Sequence, residues 1–153
     1  NLDEDKIERI NHIGSTAVEG LIAKPTVDIL LEINKSYNLD KLKSSLEENR
    51  WILMHENDSK ELNLVFNKGY TPEGFADKVF HLHVRYLGDW GELYFRDYLK
   101  KDAYVAQQYA ELKLSLEKGY KHNRDGYTEA KSDFINKWTK KARKEFGGRY
   151  KID

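Results

Sequence analysis

Thr26-Val27-Asp28-Ile29-Leu30-Leu31-Glu32-Ile33 is the most strand-like run in the chain, and the fold follows from its alternation. Successive side chains on a strand point to opposite faces. Val27, Ile29, Leu31 and Ile33 therefore share one face, and Asp28, Leu30 and Glu32 share the other. The run Val79-Phe80-His81-Leu82-His83-Val84-Arg85-Tyr86 repeats the pattern, with Phe80, Leu82, Val84 and Tyr86 opposing His81, His83 and Arg85. In Glu61 to Phe66, Leu62, Leu64 and Phe66 oppose Glu61, Asn63 and Val65. The alternation predicts a sheet with one apolar and one polar, open face. Aligned polar faces bring Asp28, Glu32, His81, His83 and Arg85 together. A solvated outer face of an antiparallel sheet produces the same alternation, so both readings stand at this point.

Outward from that run, Asn1 to Arg9 is polar and acidic and reads as the end of a helix. Ile10 to Ile13 reads as a short strand broken by Gly14, and Ser15 to Pro25 as a loop or short helical turn. Leu39, Leu42 and Leu46 give a short amphipathic helix over Leu39 to Glu48. Trp51 to His55 is a further strand, and Lys68 to Asp77 a hairpin or flap. Helices follow at Glu92 to Lys101 and at Tyr104 to Lys118, where Val105, Tyr109, Leu112 and Leu116 form a stripe. After a polar connection from Gly119 to Gly126, Thr128 caps a last helix to about Phe146, with Ala130, Phe134, Trp138 and Ala142 four residues apart. Strands first and helices second make an α+β class, with a C-terminal helical part. No composition shift marks a boundary, so residues 1–153 read as one domain.

The 153 residues suffice for one real core. The 26 basic and 26 acidic residues cancel, so no global field points to long nucleic acids. The absence of cysteine excludes disulfides, thiolate catalysis and Cys-based zinc sites, and it fits a reducing, cytoplasmic setting. No run approaches the roughly 18 apolar residues of a membrane span, so no membrane association is expected. Oligomeric state is not encoded in these features.

Gly14-Ser15, followed after a short interval by Asp28 on a strand, is the strongest local signal. Small residues at a strand end let a phosphate approach backbone N–H groups, and Ser15 adds a hydroxyl. Asp28 on the next strand suits a divalent ion bridging those phosphates. A simple Gly-Ser turn with an unrelated aspartate fits the same residues. His81 and His83, two apart on one strand face, suit a shared metal or a general base as well as a plain polar face. His12 directly precedes the turn, as a phosphate contact or as a hydrogen-bonded structural residue. Lys24, Arg85, Arg96, Arg124 and Lys131 are candidate anion contacts, although most of the 26 basic residues must be solvated. Arg96-Asp97 also reads as a surface ion pair.

His12-Ile13-Gly14-Ser15-Thr16-Ala17-Val18, then Gly20-Leu21, Ala23-Lys24-Pro25 and Val27-Asp28-Ile29, resembles the GrpB family. Phe80-His81-Leu82-His83-Val84, Phe95-Arg96-Asp97-Tyr98-Leu99 and Tyr127-Thr128-Glu129-Ala130-Lys131-Ser132-Asp133-Phe134-Ile135 fit it in the same order. Family members carry a further stretch before the first string, and the chain opens on Asn1, so a preceding segment is expected. The resemblance implies a nucleotidyltransferase-like fold of the DNA polymerase beta superfamily, with a mixed or antiparallel sheet. It also implies metal-dependent action on, or binding of, a nucleotide and a small acceptor. In that superfamily two acids in Asp-x-Asp or Asp-x-Glu spacing and a third from a neighbouring strand hold two metals. Gly14, Ser15 and Asp28 match this pattern, but Leu30 occupies the second acid's place. Glu32 lies two residues further along the same face, and His81 or His83 stands at the third position. The expected set is Asp28, His81 and His83 as catalytic residues, with Asp28, Glu32 and His83 around Mg²⁺ or Mn²⁺. His12, Gly14, Ser15, Lys24, Arg96 and Lys131 are the expected phosphate contacts. The partner is a nucleotide or small phosphorylated molecule. A non-catalytic binding module and a His/carboxylate metal hydrolase are the alternatives.

Overall fold

A computed structural model describes residues 2–18, 26–57, 61–71, 74–119 and 124–152. Packing divides the chain into two compact units, a finer division than the sequence shows. The first comprises residues 1–17, 24–88 and 152–153, and the second residues 18–23 and 89–151.

The first unit is a mixed five-stranded sheet with one covering helix. Its strands are β1 (Ile7–Ile13), β2 (Thr26–Ile33), β3 (Ile52–Glu56), β4 (Leu64–Thr71) and β5 (Gly74–Tyr86), in the order β1-β2-β5-β4-β3. β2 and β5 are parallel, and every other neighbouring pair is antiparallel. Helix α1 (Leu39–Glu48) follows β2. The side chains of Leu31, Ile33, Leu64, Phe66, Leu82 and Val84 close with Leu42 and Leu46 of α1 into one core. This is the apolar face that the alternation predicts. α1 starts where the Asn38 side chain accepts from Lys41 N at 3.2 Å, a cap contributing about 1 kcal/mol. It stops at Arg50, which takes φ +69°. Trp51 N then donates to Leu46 O and Arg50 N to Glu47 O, so paired bonds from beyond the helix satisfy its last carbonyls.

Several strand boundaries differ from the expected ones, β3 by one residue at each end. β1 begins at Ile7, so Ile7 to Arg9 is strand, not helix end; a register shift between Ile7 and Arg9 obscures its period. Glu61 to Asn63 precedes β4 instead of opening it. There the Asn57 amide donates to Glu61 O at 2.5 Å and accepts from Asn63 N at 2.8 Å, taking backbone groups that a ladder would need. At the other end β4 runs on to Thr71, which pairs with Gly74 of β5, so Lys68 to Asp77 is strand on both sides of a hairpin. Gly69, at φ +107°, absorbs a register shift between Lys68 and Tyr70.

The second unit holds α2 (Gly91–Lys101), α3 (Ala103–Gly119) and α4 (Arg124–Phe146). Tyr94, Phe95, Tyr98, Leu99, Val105, Ala106, Tyr109 and Ala142 form its core, with Phe134 and Trp138 packed against it. α4 starts ahead of the expected Thr128 cap. Gly126, about 1 kcal/mol worse than alanine inside a helix, is what makes this stretch read as a connection. Among the described residues no helix is long and apolar enough to cross a membrane.

Candidate functional site

The parallel ladder of β2 and β5 turns strand alternation into a cluster. It sets Asp28 opposite His81, and Leu30 opposite His83, so all four leave the sheet on one face. His81 Nδ1 stands 3.4 Å and His83 Nε2 3.6 Å from the same oxygen, Asp28 Oδ1. The Asp28, His81 and His83 side chains are 28%, 30% and 26% exposed, open to a small solute yet partly desolvated. A carboxylate beside two imidazoles can orient a ring by accepting a hydrogen bond from it. Carboxylate and imidazole are both donor types that metal ions accept. Donors bound at about 2.0–2.1 Å around a tetrahedral ion are about 3.3 Å apart, close to both separations. Among the described residues, no group of three or more His, Cys, Asp or Glu side chains has the geometry to hold a metal ion.

Gly14 shapes the recess in which Asp28 sits. It takes φ +75°, and a Cβ added there would fall 2.7 Å from Asp28 Oδ2. Its carbonyl accepts from Ala17 N at 3.2 Å, closing the 3₁₀ turn Ser15–Ala17. Thr16 Oγ1 donates to Thr26 O at 2.9 Å, tying the turn to the start of β2. His12 Nε2 lies 2.9 Å from that same hydroxyl. The hydroxyl has one proton and gives it to Thr26 O, so His12 Nε2 is the donor to it.

Several expected site residues do other work. His12 registers with Ile29, so its side chain leaves the sheet opposite Asp28 and buttresses the turn through Thr16. Glu32 does not join the Asp28 group. It lies roughly 13 Å along β2 from Asp28, at about 3.3 Å per residue. Its buried carboxylate accepts from Arg9 Nε and Nη2, both at 2.8 Å, and from Gly88 N at 3.0 Å. Arg9 Nη2 also donates to Gly88 O at 2.7 Å. Glu32 is thus the anchor of a strand-end clamp, where a metal ligand was expected. Leu30, in the place of a second acid, is fully buried. Ser15 opens the turn beside Gly14 and is half-buried. Lys24 lies outside the described residues. Arg85 registers with Glu32 on β2, and Arg124 begins α4.

Arg96 and Lys131 belong to the second unit, on α2 and α4. Arg96 Nε donates to Asp97 Oδ1 and Nη2 to Tyr150 Oη, each at 2.9 Å, which is the ion-pair alternative. Arg149 donates to Asp97 Oδ2 at 3.1 Å, and Tyr150 Oη donates to the same oxygen. Burial alone would raise the Asp97 carboxyl, but the Tyr150 hydrogen bond and the Arg96 charge outweigh it and hold it below its usual value. Burial, then hydrogen bonding to Asp97, pushes the Tyr150 hydroxyl up. Burial, then Asp89, does the same to Tyr94. A depressed carboxylate stabilises the fold above its unfolded pKa, and that contribution is lost as pH falls. A raised phenol stabilises below its unfolded pKa, with loss as pH rises. Thermal stability should therefore fall below about pH 4 and again above about pH 10. Melting curves across pH check this, and Asp97→Asn should flatten the acid limb.

Two residues of consequence escaped the sequence reading. Arg9 was hidden in a segment read as helix. Asn67 stands opposite His81 on β4, one residue beyond the Glu61 to Phe66 run.

Residues 2–141 match the family described as GrpB protein. A UPF0157 protein of Pseudomonas aeruginosa is 36% identical over 127 residues, covering 82% of this chain and 52% of that protein. The chain thus spans about half the length of that relative. The glutamate-rich protein GrpB of Alkalihalophilus pseudofirmus is 33% identical over 138 residues, 86% of this chain and 77% of its own. The crystal structure of the conserved protein GrpB from Enterococcus faecalis superposes with a TM-score of 0.71 at 26% identity, over 94% of this chain and 84% of that one. Sequence and fold agree over nearly the whole length, and the chain belongs to the GrpB family.

Proposed function

We propose that this protein binds a nucleotide or a similar small phosphorylated molecule, with the phosphates against the Gly14 turn and a divalent ion at Asp28. One observation carries the reading: two imidazoles stand within 3.6 Å of one carboxylate oxygen whose partner oxygen lies in a recess that only glycine leaves open. The resemblance to nucleotidyltransferase-like proteins supports a nucleotide as the ligand. Asp28, His81 and His83 would hold the ion, and phosphate oxygens would complete its shell. The ion, when bound, neutralises phosphate charge. Imidazole donors favour Mn²⁺ over Mg²⁺. Transfer by two metals needs a second acid beside Asp28, yet Leu30 stands there and Glu32 is committed to Arg9. Binding therefore ranks ahead of two-metal nucleotidyl transfer to an acceptor. The same three donors favour a one-metal hydrolase as the second reading.

A thermal-shift series with four nucleoside triphosphates, each with Mg²⁺ or Mn²⁺, tests this. A ligand at 100 times its Kd stabilises by about 2.7 kcal/mol. For a chain of this size that is a rise of roughly 5–10 °C in Tm. The expected result is a rise with at least one triphosphate, larger with Mn²⁺ and absent in Asp28→Ala. No rise with any of the eight combinations overturns the reading. Release of labelled phosphate, or transfer of labelled nucleotide, then separates hydrolase and transferase from binder.

A further inference from the structure

Two side-chain oxygens, Asn63 Oδ1 and Asn67 Oδ1, are buried without a hydrogen-bond partner among the described residues. Buried polar atoms are nearly always paired, because leaving one unpaired forfeits its hydration. Asn67 is the informative case. Its neighbour Phe66 points into the core and is fully buried, so Asn67 points to the other face. The ladders place it directly opposite His81, which is itself opposite Asp28. Asp28, His81 and Asn67 therefore form one row across β2, β5 and β4. Apolar side chains occupy this same face at Val65, opposite His83, and at Leu30. Nothing in the sheet demands an amide at position 67.

The chemistry of an unpaired Oδ1 restricts what can satisfy it. It accepts and cannot donate. Phosphate and carboxylate oxygens offer it no proton, whereas a hydroxyl or amino group does. Neighbouring strands lie about 4.8 Å apart, so Asn67 stands about 10 Å across the sheet from Asp28. That separation carries it past the phosphates to the organic part of a ligand anchored at Asp28.

We propose that Asn67 reads the nucleoside of the bound nucleotide: its Oδ1, closed off from solvent in the unliganded protein, turns outward to accept a hydrogen bond from a sugar hydroxyl or a base amino group while the phosphates lie at Gly14 and Asp28. This rests on the nucleotide-binding reading above. Asn67 is then a specificity-determining residue that favours nucleotides over bare polyphosphates. The unliganded protein bears its unpaired oxygen as the cost of that selectivity.

The test compares wild type, Asn67→Leu and Asn67→Ala by calorimetric titration with two probes, Mn²⁺–ATP and Mn²⁺–tripolyphosphate, and by melting without ligand. Asn67→Leu is expected to bind ATP about tenfold more weakly, the loss of one hydrogen bond. Its affinity for tripolyphosphate should be unchanged, and its unliganded Tm equal to or above wild type. Asn67→Ala, the smaller side chain, should show the same selectivity. Equal weakening toward both probes, undiminished ATP affinity, or a lower unliganded Tm in Asn67→Leu overturns the proposal while the nucleotide-binding reading stands. Wild type binding neither probe removes that reading and the proposal together. ATP analogues lacking the 6-amino group or the 2′-hydroxyl then tell base from sugar as the source of the proton.

Discussion

Arg9→Ala is expected to lower the unfolding free energy by about 3–5 kcal/mol, the cost of leaving a buried charge uncompensated. Glu32 is fully buried, and only 27% of the Arg9 side chain reaches solvent. Among the described residues, Arg9 supplies two of the three hydrogen bonds on the Glu32 carboxylate, and Gly88 N supplies the third. Deleting the guanidinium strands that carboxylate and also frees Gly88 O, which Arg9 holds. At roughly 2–4 °C per kcal/mol for a chain of this size, Tm should drop by about 10 °C. Arg9→Lys should fall between the two, because an ammonium keeps the charge but lacks the planar fork. Replacing both residues by apolar ones should cost less than Arg9→Ala alone, since no charge is then left in the interior. Urea denaturation of the two single variants and the double measures the coupling. A loss under about 1 kcal/mol for Arg9→Ala would put the pair in the class of exposed salt bridges and remove the clamp as a stabilising element.

Gly14→Ala is expected to damage binding more than its chemical size suggests. Its φ of +75° is a conformation that costs a residue with a side chain about 1–2 kcal/mol. The new methyl group would also stand 2.7 Å from Asp28 Oδ2 and 3.3 Å from Asp28 Cβ. The latter atom is fixed by the β2 ladder, so relief must come from rotation of the carboxylate or retreat of the turn. Rotation moves Asp28 Oδ1 away from His81 and His83, and retreat pulls the turn's backbone away from the carboxylate. The variant should stay folded, lose about 1–3 kcal/mol of stability, and lose the Mn²⁺-dependent rise in Tm with nucleotide. A Gly14→Ala protein that keeps the full nucleotide response would show that the carboxylate need not lie against the turn.

The residues that were legible in the sequence share a physical reason. β2 and α1 have the expected bounds, because Val27, Ile29, Leu31 and Ile33 meet Leu42 and Leu46 in one core, and burial writes its own period. Alternation also put Asp28, His81 and His83 on a polar face. That they converge depends on β5 lying beside β2, a fact of topology that no local pattern carries. Glu32 misled for the same reason. Its partner Arg9 sits on edge strand β1, where a register shift and polar neighbours hide the strand period. Asn67 was within reach of the alternation, but a Gly-rich hairpin tip ended the strand too soon. Asn57, which takes the backbone groups ahead of β4, acts through a side chain that periodicity does not weigh.

The parallel pairing of β2 with β5 has a kinetic consequence. The β4–β5 hairpin joins neighbours in sequence and can form early, whereas β2 must find β5 across α1, β3 and β4. Closing so long a loop is entropically expensive, so such contacts tend to form slowly during folding. Asp28 and His81 sit on opposite sides of that last seam. A nascent or partly folded chain therefore cannot bring His81 and His83 to Asp28, and a fragment ending before β5 cannot either. A ligand held there bridges the seam itself, so it should slow unfolding of the whole sheet rather than merely stiffen one loop.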